Sequence, residues 1–378
     1  MEIRTTLSKL VVFFSLLLVS HQGFSQNIFI KYLKYTLMDT SPPGKLKFIA
    51  YPTLAFAPET SWEIGLSGLM VYRAKQDTTN RLSELKTFSF ATLEAQYGSV
   101  LEHALYTDKN KYFFLGEVRF QNFPINYYGV GPYTDADVNV VVKTSEFRFR
   151  ERILRQIKPS IFTGFEVDFN RLTQVHFDDE DSPVIPRPLG HEGSTNLSLG
   201  WGLLFDDLHN VLNPREGKYL EVAYLGSNTA WGSTFSFNTV FTDFRFYTPI
   251  NERNVLATQL FGQFNEGDVP FNKLALMGGE RLMRGYYLGR YRDNNLIGGQ
   301  IEYRLLPFKF AERWGGSIFA AGGSVFPDLK SYTLKEVKWA VGFGPRFLLF
   351  PRKDVYTRLD VAFTEEGNGF YFHIGEAF

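Results

Sequence analysis

The stretch Lys158–Asn170, KPSIFTGFEVDFN, decides how this chain is read. Ile161, Thr163, Phe165, Val167 and Phe169 fall on one face of an extended strand, and Glu166, Asp168 and Asn170 fall on the other. Three relatives of the pattern follow. In DVYTRLDVAF, Val355, Thr357, Leu359, Val361 and Phe363 oppose Tyr356, Arg358, Asp360 and Ala362. In LIGGQIEYRLLPF, Ile301, Tyr303 and Leu305 oppose Gln300, Glu302 and Arg304; in VKWAVGF, Val337, Trp339, Val341 and Phe343 oppose Lys338, Ala340 and Gly342. A soluble sandwich also alternates, but it sends its polar faces to water. Here the charges sit mid-strand and the segments are long, about 9 to 13 residues, as a tilted membrane-crossing strand requires. Tyr51, Trp62, Tyr72, Tyr112, Trp201, Tyr219, Trp231, Tyr247 and Tyr371 read as two aromatic girdles at strand ends. The pattern predicts an all-β transmembrane antiparallel barrel with a polar lumen.

Composition agrees. Aromatic residues make up 17% of the 378, while equal numbers of basic and acidic residues, 40 each, leave no net charge. That balance argues against a nucleic-acid partner. No cysteine is present, which excludes disulfides and thiolate metal sites. Residues 1–25 read as a secretory signal: Arg4 and Lys9 precede the apolar run Leu10 to Val19, and Gly23-Phe24-Ser25 offers the cleavage site. Residues 26–44 read as a short periplasmic segment or an amphipathic plug, and residues 45–378 as the barrel.

About sixteen strands are expected: 45–56, 61–73, 86–95, 98–106, 112–121, 139–151, 157–170, 194–205, 217–226, 232–247, 252–264, 295–306, 314–322, 336–347, 354–363 and 369–378. APET, NPREGK, TPINER and PRKD read as short periplasmic turns. YTDADVN, the loop Val175–Gly193 and Glu266–Asn294 read as long outer loops.

Three stretches resemble the barrel of the BamA/TamA (bacterial surface antigen, Omp85-type) outer-membrane superfamily. The first is MGGERLMRGYYLGRYRDN, Met277 to Asn294. Its pair Gly278-Gly279 and its triplet Arg284-Gly285-Tyr286 are similar to the family's glycine pair and arginine-tipped loop, which runs back inside the barrel. The resemblance implies that Arg284 is the tip arginine, Gly285 its tight turn and Tyr286 its packing aromatic. The second is FDDLHNVLNPREGKYLEV, Phe205 to Val222, with Asp206, Asn213, Pro214 and Gly217 as hairpin chemistry. The third is RLDVAFTEEGNGFYFHIGEAF, ending in Phe378, which by resemblance acts as the insertion signal.

An inward loop needs a lumen partner for Arg284. Glu302, on the polar face of the next strand, is the first choice, with Asp360, Glu166 and Asp168 as alternatives. A desolvated pair would lose about 3–5 kcal/mol with either partner removed; a water-bathed one about 0–1 kcal/mol. The family's usual second acidic partner has no counterpart, since GGSIFAAGGSVF places Ala320 or Ala321 there. The periplasmic (POTRA) domains of assembly factors are also not read here. A partner protein would then supply them.

No Gly-x-Ser-x-Gly elbow, phosphate-cradling loop or metal motif is found, so neither enzyme activity nor a cofactor is expected. The run His176 to Asp181, HFDDED, reads as a solvated loop rather than a calcium site. Three functions are compatible with the sequence. One is a polypeptide assembly or translocation factor working through a weak seam between the first and last strands, where Pro52 removes a donor. The others are a passive porin-like channel and a structural subunit of an outer-membrane complex. The bacterial outer membrane, with its lipid and lipopolysaccharide, is the expected setting, and other periplasmic or outer-membrane proteins are the expected partners.

Overall fold

The computed structural model describes residues 44–57, 61–178 and 185–378. The expected signal sequence, nearly all of the segment 26–44 and the second half of the HFDDED run lie outside the described residues.

Among the described residues, sixteen long strands build the wall. In chain order they are β1 (Lys47–Ala57), β2 (Ser61–Arg73), β3 (Leu82–Thr92), β4 (Tyr97–Tyr106), β5 (Tyr112–Asn122), β7 (Val140–Lys158), β8 (Ile161–Asp178) and β9 (Ser194–Asp206). The second eight are β10 (Gly217–Ser227), β11 (Phe237–Pro249), β12 (Asn254–Gly267), β15 (Asn295–Leu305), β16 (Trp314–Phe326), β17 (Lys338–Phe350), β18 (Val355–Thr364) and β19 (Gly367–Ile374). Three short strands complete the set: β6 (Ile125–Tyr127) extends the wall beside β7, and β13 (Ala275–Met277) pairs with β14 (Tyr291–Asp293). Each wall strand pairs antiparallel with the next, from β1–β2 through β18–β19. The sheet curls until β1 and β19 face each other. There Ile49 of β1 and Ile374 of β19 join one apolar cluster. Among the described residues no backbone ladder joins those two strands.

Alternation does what period two predicts. Phe165, Ile318, Trp339, Phe343 and Phe370 stand exposed on the outer face, while Glu166, Asp168, Asn170, Gln300, Glu302 and Ala340 are buried inside. Outward side chains in lipid and inward ones on a polar filling are the two solutions a closed barrel requires.

Several boundaries differ from expectation. β7 and β8 form a hairpin of 19 and 18 residues, far longer than the expected 139–151 and 157–170. Bulges at Lys143/Ser145 and Gln156/Lys158 interrupt the period-two count, which is why the run looked shorter. β3 lies earlier than 86–95, β11 begins later than 232, and β17 runs to Phe350. β19 ends at Ile374, and Gly375, at φ +95, turns residues 375–378 inward. Val355 is fully buried instead of facing outward, because it packs with Leu349 and Phe350 at the barrel's foot. Four expected girdle residues face inward: Tyr51 packs against the cluster of Ile49, Tyr219 bonds Glu221, Tyr247 packs on Phe378, and Tyr371 bonds the inner loop. Trp201 is outward but mid-strand, edge-on to Phe165. The expected turn APET, apart from Ala57, lies outside the described residues.

Candidate functional site

The connection between β12 and β15 turns back into the lumen as a strap. Its stem is the β13–β14 pair and its tip is the run Gly278–Arg290. The glycine pair is a steric requirement. Gly278, at φ +118, brings its α-carbon so close to the returning chain that a Cβ would sit 2.1 Å from the Tyr287 carbonyl oxygen. Gly279, at φ +94, donates to the Tyr286 carbonyl at 3.0 Å and closes the crossing. Gly285, at φ +106, makes the tip turn; its N–H donates to the Tyr371 hydroxyl at 2.9 Å, and a Cβ would meet Thr364 at 2.5 Å. The wall opposite is correspondingly bare. Gly298 faces Leu282, and Gly323 faces Met277 and Met283.

Arg284 is buried and lies between two strands. Its guanidinium meets Glu302 of β15 at 2.7 Å and Asp360 of β18 at 2.6 Å, and also donates to Gln300 at 3.3 Å. Its other face lies 3.4 Å from the Phe319 ring centroid. Both carboxylates are shared. Arg304 bonds Glu302 at 3.0 Å; Arg346 bonds Glu302 at 3.1 Å, Asp360 at 2.6 Å and Glu376 at 3.0 Å; Arg358 bonds Asp360. Four guanidinium groups thus surround three carboxylates in a desolvated cluster. Each ion depends on its neighbours to offset dehydration, so removal of one strands the others.

Of the partners the sequence offered, Glu302 and Asp360 both meet Arg284. Glu166 and Asp168 do not: Glu166 holds Arg150 and Arg152, and Asp168 holds Arg148 and Lys273. Ala320 faces out and Ala321 packs in the core under Tyr286; Asp360, two strands along the wall on β18, supplies the second carboxylate. Tyr286 packs among Met277, Met283, Ala321, Val325 and Ala340.

Other anchors were missed in the sequence. Arg281 reaches Glu102 of β4 at 3.0 Å, and Glu280 meets His373 of β19 at 2.5 Å. Burial pushes the Glu280 carboxyl up, but the hydrogen bond and charge of His373, with Arg281 and Arg358, outweigh it and hold the group at about 2. Arg290 forks onto Glu366 at the tip of the last hairpin at 2.7 Å, and donates to Thr134. Lys273 and Asn272, before the stem, bond Asp168 at 3.1 Å and Asn170 at 2.9 Å. Among the described residues, Arg292 bonds main-chain oxygens of Asn126 and Gly289 and sits over Tyr127. Burial lowers it to about 10. The only signal for Glu102, Asp168, Asn170 and His373 was an inward strand position, which gives no pairing, and Glu366, in a turn, carried none.

The second motif, at β9–β10, lies across the barrel from the seam. Asp206 accepts from Tyr106 at 2.6 Å and pairs with Arg81 at 2.5 Å. Asn213 donates to Asp354 at 3.0 Å, Pro214 is buried, and Gly217 takes φ +104. Phe378 is 4% exposed and packs inside with Leu208, Tyr247, Val255 and Ala257, not in the outward position of the strand expected over 369–378. Its main-chain oxygen accepts from Arg304 at 3.1 Å.

Beside the strap, a cavity of ≈ 870 Å³ opens along the seam. Pro52 and Thr53 of β1, Glu63 of β2, Arg281 of the strap and Phe372 and His373 of β19 are among its lining residues. Pro52 sits mid-strand opposite Leu66.

Known proteins share this architecture. BamA from Haemophilus ducreyi lacking POTRA domains 1-3 aligns over 88% of this chain and 69% of its own, at 14% identity and a TM-score of 0.52. CdiB from Acinetobacter baumannii aligns over 91% of this chain and 66% of its own, at 10% identity and a TM-score of 0.52. CdiB from Escherichia coli aligns over 87% and 62%, at 11% identity and a TM-score of 0.54. The chain therefore spans 62% to 69% of these proteins, and at such identities the likeness is one of fold. No curated protein matches the sequence. The Omp85 superfamily domain matches residues 91–378, which takes in the strap, both of its carboxylate partners and the β9–β10 motif. With that match over most of its length, and with the barrel and strap described above, the chain belongs to the Omp85 superfamily, whose fold implies an outer-membrane location.

Proposed function

We propose that this barrel assembles or translocates polypeptides at the outer membrane by opening the seam between β1 and β19, together with a partner protein that supplies periplasmic domains. One observation carries the reading. Every other neighbouring pair of wall strands shares a ladder, whereas β1 and β19 share none among the described residues, and the cavity opens along that same line. A client strand entering there would meet polar groups inside and lipid outside, the environment a membrane strand needs on its two faces. Lipid and lipopolysaccharide would cover the outer wall. The strap spans the lumen from β4 to β15 and β18, which favours this reading over a passive channel.

The test uses the absence of native cysteines. A disulfide engineered between β1 and β19 locks the seam. Loss of growth or of client assembly, restored by reductant, is expected. A locked barrel that supports both as well as the unlocked one overturns the proposal. A pull-down from native membranes in mild detergent is expected to bring down a periplasmic partner.

A further inference from the structure

The foot of the seam is held by a side chain from the far side of the barrel. Eight wall strands run from β1 to β9 and eight from β10 to β19, so the β9–β10 connection starts diametrically opposite the seam. It does not stay there. Residues 207–216 cross the periplasmic mouth, with Leu208 reaching Tyr247, Val255 and Phe378. Asn210 donates to the Lys353 carbonyl at 2.9 Å and accepts from the Leu212 N–H at 3.0 Å. Arg215 forks onto Asp354 at 2.5 and 2.8 Å and donates to the Leu306 carbonyl at 2.8 Å. These bonds tie the connection to the turns after β15 and β17.

Leu212, 2% exposed, arrives beneath the seam. It packs in one cluster with Ile49 of β1, Leu69 and Val71 of β2 and Val355 of β18, and Ile374 of β19 packs against the same cluster. Its carbonyl accepts from the Glu376 N–H at 2.9 Å. Gly375 lies so near that a Cβ there would stand 2.9 Å from Leu212 Cδ2.

We propose that Leu212 is a latch that holds the periplasmic end of β1 against β19, and that a partner drawing the 207–216 connection out of the mouth releases the seam. The proposal rests on the seam reading above for its purpose, but not for its test. Among the described residues no ladder joins the two strands, side chains pack together at the foot, and Leu212, with Val211 beside it, is supplied there from the opposite connection. Its tether, Arg215 on Asp354, is partly exposed on the periplasmic face, where a partner reaches it.

Spin labels on Phe48→Cys and Phe372→Cys, both outward and near the foot of their strands, report the gap in the purified barrel. Labels on Ile318→Cys and Phe372→Cys, within one wall, report that the fold is intact. With native Leu212 the seam distance is expected to be single and narrow. Leu212→Asp is expected to lengthen or broaden it by about one strand spacing, roughly 5 Å. Arg215→Ala is expected to move it the same way by less, and Leu212→Ile to leave it unchanged. Should Leu212→Asp and Arg215→Ala both leave the seam distance as in the native protein, with the wall distance preserved, the latch is refuted and the seam reading stands. Should Leu212→Asp disrupt the wall distance, Arg215→Ala alone decides. If the gap widens as expected but a locked seam still supports growth, the latch survives and the assembly reading falls.

Discussion

Arg284 and Asp360 lie 76 residues apart in sequence and 2.6 Å apart in space. That bond, with the 2.7 Å bond to Glu302, joins the strap to β15 and β18 at once. Arg284→Ala leaves carboxylates in a desolvated cluster and is expected to cost about 3–5 kcal/mol. Arg284→Lys keeps the charge but cannot fork, so an intermediate loss is expected. Urea unfolding in a defined bilayer measures both; an alanine variant within about 1 kcal/mol of the native barrel contradicts the desolvated cluster.

Arg281 and Glu102 provide the contrast. Their side chains are 64% and 33% exposed, so water and salt screen the pair. Glu102→Gln is expected to change stability by no more than about 1 kcal/mol. A larger loss in the same unfolding assay would mean that this anchor bears as much on the strap as Arg284.

Gly285→Val puts a branched side chain at φ +106 and into Thr364. Strain of about 1–3 kcal/mol is expected, concentrated at the strap tip. Protease added to intact cells checks it: the native strap should resist cleavage, and the variant should be cut within Gly278–Arg290. Equal resistance would show that the tip accommodates a Cβ.

Phe378 and Phe370 test the inward turn at Gly375. Phe378→Ala opens a cavity among Leu208, Tyr247, Val255 and Ala257, and is expected to cost about 3–5 kcal/mol. Phe370 is 68% exposed on the outer face, and Phe370→Ala should cost distinctly less. Equal losses would place Phe378 in the outer wall.

Ile318 stands on the lipid face of β16, between Tyr303 and Phe343. Ile318→Arg is expected to destabilise the barrel by about 2–4 kcal/mol in a bilayer. A negligible effect would place that face in water or against a polar partner.

Much of this was readable along the chain. Period two in Ile161–Asn170 and Gln300–Arg304 separated lipid-facing from lumen-facing side chains, because a strand cannot turn one residue without turning its neighbours. The resemblance singled out Arg284 and its glycines. Boundaries were less legible: bulges in β7 and β8 break the alternation without any mark in residue type. The girdle reading misplaced Tyr51, Tyr219, Tyr247 and Tyr371, since a tyrosine suits a wet lumen as well as a membrane interface. Arg346 and Arg358 could be assigned to the lumen, but not to Arg284's cluster; alternation put Glu376 outside with Phe378, and the turn at Gly375 brings it in.

The linear order of apolar and polar residues determined that the chain forms strands, how many, and which face of each meets lipid. Those properties arise between near neighbours, where backbone geometry alone decides. Which charges neutralise one another, that Asp360 stands in where Ala321 offers no acid, and that Leu212 reaches the seam from the opposite wall were decided only by closure of the cylinder. Closure sets the stagger of sixteen strands together, and it brings inward side chains from distant strands within bonding reach.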